Sequence, residues 1–195
     1  RPGPVLIDIP DDLQRQLVDP LKLKNFQAPA TQGFPHLNNS LQDTIDSIMN
    51  SERPILIAGW GLHLSNTEAE FLKFAESFNI PIALTWGAAD LIPFDHDLYV
   101  GTFGTHGNRH ANFAVQNADL IISLGSRLDT KSTGSPINTF AREAKKIMVD
   151  IDINELNKFQ YFDLKFDQLI HCDLRDFFNN FSKLESTKDT NNNLE

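Results

Sequence analysis

The sequence contains a single cysteine, Cys172, among its 195 residues. One thiol cannot form a disulfide within the chain or supply a zinc site made only of cysteines. The same count argues against an NAD-dependent deacylase, because that class normally needs a four-cysteine zinc site. Cys172 is expected to be a small buried residue and not a nucleophile. With no recognisable secretory signal, these features predict a cytoplasmic protein.

Long apolar runs and basic clusters are also missing. No apolar stretch approaches the about 20 residues needed to cross a bilayer, so no membrane span is predicted. The net charge is -9 and no lysine or arginine cluster occurs. Because such a chain repels a phosphate backbone, nucleic acid is not an expected partner. The hydrophobic content of 41% and charged content of 22% are ordinary for a globular domain with one α/β core.

The stretch RPILIAGWGL, residues 53–62, organises the chain. Its continuously apolar part, Pro54 to Ala58, predicts a parallel strand covered on both faces. Gly59 and Gly61 then allow positive φ and a close approach of another backbone or of a ligand. A helix over 67–79 follows, with Ser65 or Asn66 as its N-cap. The pattern fits a phosphate-binding turn, but a plain strand-turn-helix corner explains it about as well.

The remaining apolar patterns alternate between strand and helix. They predict strands at Ile80–Leu84, Leu120–Leu124, Lys146–Ile151 and Leu164–Ile170, and helices at Leu41–Asn50 with Ser40 as N-cap, Arg109–Asn117, Phe140–Ala144 and Leu174–Leu184. Val5 to Ile9 is also strand-like. Alternation at this spacing predicts a doubly wound, mainly parallel α/β sheet of six strands with helices on both faces, a Rossmann-like fold.

Polar residues after the predicted strands are the candidate ligand contacts, because open α/β sheets bind ligands at the carboxyl ends of their strands. Arg127 is either a ligand contact or part of a structural salt bridge to Asp129 or to a neighbouring domain. Asp150 and Asp152 are either hydroxyl acceptors or helix caps. His106 and His110 have a spacing that would place them on one helix face. No carboxylate stands near them in the sequence, so no metal site is predicted. His106 is interpreted either as a loop residue at the cofactor edge or as a simple turn residue flanked by two glycines.

Four stretches together resemble the central domain of thiamine-diphosphate-dependent enzymes of the acetolactate synthase type. They are RPGPVLIDIP at the start of the chain, RPILIAGWG, GTHG followed by ANFAVQNADLIISLGSRLD, and KIMVDIDINELNK. The third is the most specific. The resemblance covers roughly residues 1–184.

The resemblance implies that this chain supplies the middle of three domains. Residues 1–10 would end the preceding pyrimidine-binding domain, residues 11–39 form a linker, residues 40–184 the central nucleotide-binding-like domain, and residues 185–195 a polar tail. In that family the activating glutamate and the Gly-Asp-Gly motif lie in the flanking pyrimidine- and diphosphate-binding domains. Thiamine diphosphate and Mg²⁺ would therefore be bound by those domains, and this chain alone would carry no catalytic residue. The parent enzyme would act on 2-oxo acids such as pyruvate, as a homodimer or homotetramer.

In flavin-containing members of the family the middle domain holds FAD. Carried over residue by residue, this implies cofactor contacts from Gly59, Gly61, Thr85, Gly104, His106, Gly125, Arg127, Asp129, Asp150 and Asp152. Two departures favour an adenine-nucleotide or vestigial site over retained FAD. Trp86-Gly87-Ala88-Ala89-Asp90 replaces the usual Leu-Met-Gly-Leu-Gly loop, and Lys131 replaces an arginine. The alternative function is a free-standing nucleotide-binding or scaffolding module without catalysis.

Overall fold

The computed structural model describes residues 3–27 and 37–192, with side chains described as far as residue 184. The chain divides into two compact units, residues 1–33 and 34–195. The first unit contains a one-turn helix, α1 (Asp11–Gln14), and a 3-10 turn at Pro20–Lys22. Residues 5–9 form neither helix nor strand and pair with no strand in the described parts of the chain. Their assignment to a preceding domain stays a prediction, and residues 28–36 of the predicted linker lie outside the described residues.

The second unit is built on a sheet of six strands, all parallel. In chain order they are β1 (Pro54–Ala58), β2 (Ile82–Leu84), β3 (Tyr99–Thr102), β4 (Leu120–Leu124), β5 (Lys145–Asp150) and β6 (Gln168–His171). Their spatial order is β3-β2-β1-β4-β5-β6. The predicted fold class is therefore confirmed, and β1 and β4 have the predicted bounds.

Helices cover both faces of this sheet, as predicted. They are α2 (Leu37–Met49), α3 (Gly61–Ser65), α4 (Glu68–Phe78), α5 (Arg109–Asn117), α6 (Thr130–Thr133), α7 (Ile153–Asn157) and α8 (Leu174–Asn192). Alternate residues of β1 to β5 enter two separate apolar clusters, because successive side chains point to opposite faces. One cluster contains residues of α2, α3, α4 and α8, and the other residues of α5 and α7. None of the described helices is long and apolar enough to cross a membrane.

Two predicted helix starts are wrong. Ser40 is not an N-cap, because α2 already begins at Leu37. Ser65 lies inside α3, where its hydroxyl donates to the Gly61 carbonyl at 2.8 Å. Asn66 ends α3 in the left-handed conformation with φ of 55°. The predicted cap therefore marks the break between α3 and α4, and a five-residue helix begins at the glycine turn itself.

Other elements differ from the prediction because of single backbone positions or short length. Phe140–Ala144 is a turn and not a helix, since Ala141 has φ of 39°, outside the right-handed helical region. The last strand is shorter than predicted and covers Gln168–His171. The closing helix α8 continues to Asn192, through most of the predicted polar tail.

Candidate functional site

The carboxyl ends of β3, β2, β1 and β4 are neighbours in the sheet, and the loops that follow these four strands meet at one edge. A cavity of about 300 Å³ lies there. Of the predicted site residues, Thr85, His106, Gly125, Arg127 and Asp129 line it, together with Trp60, Trp86, Gly87, Thr102, Phe103, Thr105, Ser126, Leu128, Lys131 and Ser132. The other five predicted residues, Gly59, Gly61, Gly104, Asp150 and Asp152, are not among its lining.

Gly59 and Gly61 pack against the turn after β4. A Cβ on Gly59 would lie 2.3 Å from the Gly125 carbonyl oxygen, and one on Gly61 would lie 2.6 Å from the Gly125 Cα. The Gly59 and Gly61 N–H groups donate to the carbonyls of Leu124 and Gly125, at 3.0 and 2.9 Å. These contacts favour the interpretation of Gly59-Trp60-Gly61 as a structural corner, since they account for its two glycines and two of its donors.

The turn after β1 was expected to contain a glycine with positive φ, but the positive φ occurs in the turn after β4, against which it packs. Gly125 has φ of 61°, whereas neither Gly59 nor Gly61 has a positive φ. A side chain at Gly125 would also meet the Gly61 Cα at 2.8 Å. The crossing of the two turns therefore requires glycine on both sides.

Gly104 fixes the loop that carries His106. It has φ of 98°, and a Cβ there would lie 2.5 Å from the Lys131 carbonyl oxygen. The Gly104 N–H donates to Asn112 Oδ1 at 2.8 Å, and the Asn112 amide donates back to the Gly104 carbonyl at 3.0 Å. Gly104 thus fixes the backbone of the loop whose residues Thr105 and His106 line the cavity.

Aromatic rings form two sides of the cavity. The rings of Trp86 and His106 have centroids 5.7 Å apart at an angle of 50°. Trp60 approaches from the turn after β1, and the Trp60 and Trp86 side chains are the only tryptophans of the chain. Both residues are largely exposed, Trp60 at 51% and Trp86 at 71%. Exposed rings at a cavity mouth are suited to stack on a planar ligand.

Arg127 is held by a residue that the sequence reading did not identify. Its Nε lies 2.9 Å from Glu155 Oε1, and Lys158 Nζ lies 2.8 Å from Glu155 Oε2. Lys158 Nζ also donates to the Arg127 carbonyl. The predicted partner Asp129 is wrong, because Asp129 instead accepts from the Ser132 N–H at 3.0 Å and caps α6. The Arg127 side chain remains 65% exposed, so its guanidinium can still reach a ligand.

The two aspartates after β5 belong to local backbone structure. Asp152 caps α7 by accepting from the Asn154 N–H at 3.0 Å. Asp150 accepts from the Asp152 N–H at 2.8 Å and is buried. These bonds favour the helix-cap alternative for Asp152 and assign a turn-forming role to Asp150.

His106 and His110 do not share a helix face, because His106 precedes α5 and only His110 lies within it. Within residues 3–27 and 37–192 no three His, Cys, Asp or Glu side chains are grouped closely enough to hold a metal ion. Cys172 is fully buried, as predicted. Burial raises the pKa of its thiol to about 12, and the charges of Asp176, Asp173 and Asp150 act in the same direction.

His63 is a further residue that the sequence reading missed. Its Nδ1 lies 2.8 Å from Glu68 Oε1 and its Nε2 lies 3.1 Å from Asp90 Oδ1. Its ring centroid is 4.7 Å from that of Trp60. Glu68 lies in the next helix and Asp90 in the loop after β2, so neither pairing follows from the i,i+3 or i,i+4 spacing of one helix.

Comparison with known proteins identifies relatives of this domain. Residues 41–179 match the family model "Thiamine pyrophosphate enzyme, central domain". The chain is 38% identical over 165 residues to a probable acetolactate synthase large subunit of Methanococcus aeolicus, covering 81% of this chain and 27% of that protein. It is 36% identical over 160 residues to the acetolactate synthase large subunit of Corynebacterium glutamicum, covering 81% of this chain and 25% of that protein. The chloroplastic acetolactate synthase of Arabidopsis thaliana is 34% identical over 163 residues, with 81% and 24% covered. The chain thus spans about a quarter of the length of these relatives.

Proposed function

Since the chain belongs to the family of thiamine pyrophosphate enzyme central domains, we propose that it is the middle domain of an acetolactate synthase-like enzyme acting on 2-oxo acids. The reaction would be pyruvate decarboxylation and carboligation. Thiamine diphosphate supplies the carbanion-stabilising chemistry when bound. Flanking pyrimidine- and diphosphate-binding domains would hold it with Mg²⁺, in a cytoplasmic homodimer or homotetramer.

The role proposed for this chain is to brace those domains and to bind an adenine nucleotide at the carboxyl edge of its sheet. The observation that carries the second part is the cavity between Trp60, Trp86 and Arg127. An indole face stacks on a purine, and a guanidinium forms charge-assisted bonds to a diphosphate. Lys131, which also lines the cavity, adds a second positive charge.

FAD fits this cavity less well than an adenine nucleotide does. Its volume of about 300 Å³ is at the lower end of the range for small-molecule sites. FAD carries a flavin ring in addition to its adenosine diphosphate half and needs more room than this cavity offers. An adenosine diphosphate needs only the stacking wall and the cationic end. The proposed ligand is therefore an adenine nucleotide without a flavin.

A scaffolding role without any ligand is the second candidate, and one observation favours it. The donors of Gly59 and Gly61 are used by protein carbonyls, and Asp129 and Asp152 are used as helix caps. These predicted ligand contacts therefore have structural roles already. The two candidates differ only in whether the cavity is filled.

Calorimetric titration of the full chain with ADP, FAD and thiamine diphosphate tests both proposals. We expect ADP to bind, FAD to bind more weakly, and thiamine diphosphate not to bind. Arg127→Gln should weaken ADP binding about tenfold, because one charge-assisted contact is lost. Arg142→Gln, which changes an arginine outside the cavity lining, is the matched control and should have no effect. Failure of both ADP and FAD to bind would support the scaffold, and tight binding of thiamine diphosphate would contradict the domain assignment.

A further inference from the structure

His63 has a carboxylate at each ring nitrogen. Glu68 of α4 faces Nδ1, and Asp90 faces Nε2 from the loop after β2. A neutral imidazole carries one N–H and can donate to only one of them. The doubly protonated ring donates to both, so this geometry is that of an imidazolium bridging two carboxylates.

The bridge joins the two segments that carry the aromatic walls of the cavity. Asp90 lies shortly after the 3-10 turn at Trp86–Ala88, which brings Trp86 to the cavity mouth. On the other side, the His63 ring contacts the ring of Trp60, the second wall. The His63 side chain therefore contacts the ring of Trp60 and is hydrogen-bonded to Asp90, which lies in the loop that carries Trp86.

We infer that His63, as an imidazolium, is a positioning residue that holds the Trp86 loop and Trp60 in place, so that nucleotide binding at this edge depends on pH. This inference rests on the proposed adenine-nucleotide site. The Trp86 loop is the segment over 85–91. This loop, and not Arg127, would make nucleotide binding depend on pH.

The charges around His63 set the direction of the pH dependence. Burial lowers the pKa of His63, but the hydrogen bonds to Glu68 and Asp90 and their negative charges outweigh it, and the pKa is raised above 6.5. The groups that act on His63 are Glu68 from α4 and Asp90 from the loop. The bridge is therefore fully formed below the unfolded value of 6.5 and is lost as the pH rises through the raised value.

Two backbone amides report on this loop without any ligand. The Ala88 N–H donates to the Thr85 carbonyl at 3.0 Å, and the Leu91 N–H donates to the Ala88 carbonyl at 3.1 Å. Amide hydrogen exchange at about pH 6, where the bridge is formed, measures how firmly the loop is closed. We expect several-fold faster exchange at both amides in His63→Gln and in Asp90→Asn. Asp90 is 76% exposed, so the second variant leaves the core intact.

Glu76→Gln is the matched control. It removes a carboxylate 3.3 Å from another histidine, His96, at a side chain that is 55% exposed. The control should leave exchange at Ala88 at the wild-type rate. Wild-type exchange in both His63→Gln and Asp90→Asn would overturn the inference.

The pH profile of ADP binding separates this inference from the proposed function. In the wild-type chain the Kd for ADP should rise several-fold as the pH increases through the pKa of His63. NMR of the imidazole ring measures that pKa. In His63→Gln the profile should lack that step, with weaker binding at low pH. If ADP binds with the same pH profile in both proteins, the positioning role is wrong although the nucleotide site stands. If ADP binds to neither protein, the proposed site is wrong, and the exchange result alone then decides whether His63 closes the loop.

Discussion

The guanidinium Nε of Arg127 lies 2.9 Å from Oε1 of Glu155, which joins the turn after β4 to helix α7. The Glu155 side chain is only 11% exposed and also contacts Lys158. One nearly buried carboxylate thus compensates two cations beside the cavity. Arg127 is therefore held near the candidate ligand site before any ligand is present.

This ion pair predicts a trade-off between stability and binding. Glu155→Gln frees the guanidinium and should tighten ADP binding by about threefold, because a diphosphate no longer competes with the carboxylate. It should also lower the free energy of unfolding by about 1 kcal/mol, since two positive charges lose their partner. Calorimetry and urea unfolding measure the two effects. Glu143→Gln, at an exposed carboxylate, is the control, and weaker ADP binding in Glu155→Gln would contradict the competition.

The turns after β1 and β4 pack backbone against backbone, so one added methyl group should strongly lower the stability of the fold. Gly59→Ala would place a Cβ 2.3 Å from the Gly125 carbonyl oxygen, in contact with backbone that cannot rotate away. We expect the free energy of unfolding to fall by about 3 kcal/mol. Gly87→Ala is the matched control, because its Cβ would find its nearest neighbour at an ordinary 3.8 Å. Equal stability of the two variants in urea unfolding would show that the turns do not cross so closely.

The buried thiol predicts chemical inertness. Because burial raises the pKa of Cys172 to about 12, the thiolate is scarce at neutral pH. A disulfide reagent at about pH 8 should therefore modify Cys172 in the unfolded chain within seconds and in the native chain only at the rate of unfolding. Absorbance of the released thiolate follows both reactions. Rapid stoichiometric labelling of the native chain would contradict the burial.

A buried hydroxyl in the central sheet predicts a substitution that costs little stability. Ser123 Oγ in β4 is buried and has no hydrogen-bond partner among the described residues. Ser123→Ala removes an unsatisfied group and should leave the free energy of unfolding unchanged within about 0.5 kcal/mol, or raise it. Thr44→Val is the contrasting variant, because Thr44 Oγ1 donates to the Ser40 carbonyl at 2.8 Å. It should lose about 1 kcal/mol. A larger loss in Ser123→Ala than in Thr44→Val would reverse the ranking expected from these bonds.

The sequence predicts the elements that carry a strong apolar pattern. β1, β4 and α5 have the expected bounds because runs of buried residues or a clear helical period define them. β3 was missed, since it is four residues long and contains Gly101 with φ of 110°. The helix predicted over 140–144 fails for a similar local reason, the left-handed Ala141, which no composition pattern reveals.

The sequence predicts at which edge of the sheet the site lies, but not which side chains contact one another there. The carboxyl-edge rule brings Thr85 and Arg127 to one cavity, because both follow predicted strands and the rule depends only on strand direction and order. His106 follows the unpredicted β3, so its place in the cavity did not follow from that rule. The bonds of Arg127 to Glu155 and of His63 to Asp90 join residues from different loops, so spacing along the chain cannot show them. Long-range packing, and not local pattern, decides which polar side chains are available to a ligand.

The most direct test of the proposed nucleotide site uses the two tryptophans of the chain, because both line the cavity. In a two-dimensional NMR titration with ADP, the indole N–H signals of Trp60 and Trp86 and the Nε–H signal of Arg127 should shift together with one Kd. Arg127→Gln should raise that Kd about tenfold. If saturating ADP leaves both indole signals in place, or shifts signals only at the opposite edge of the sheet around Lys145, the carboxyl-edge cavity is not a nucleotide site.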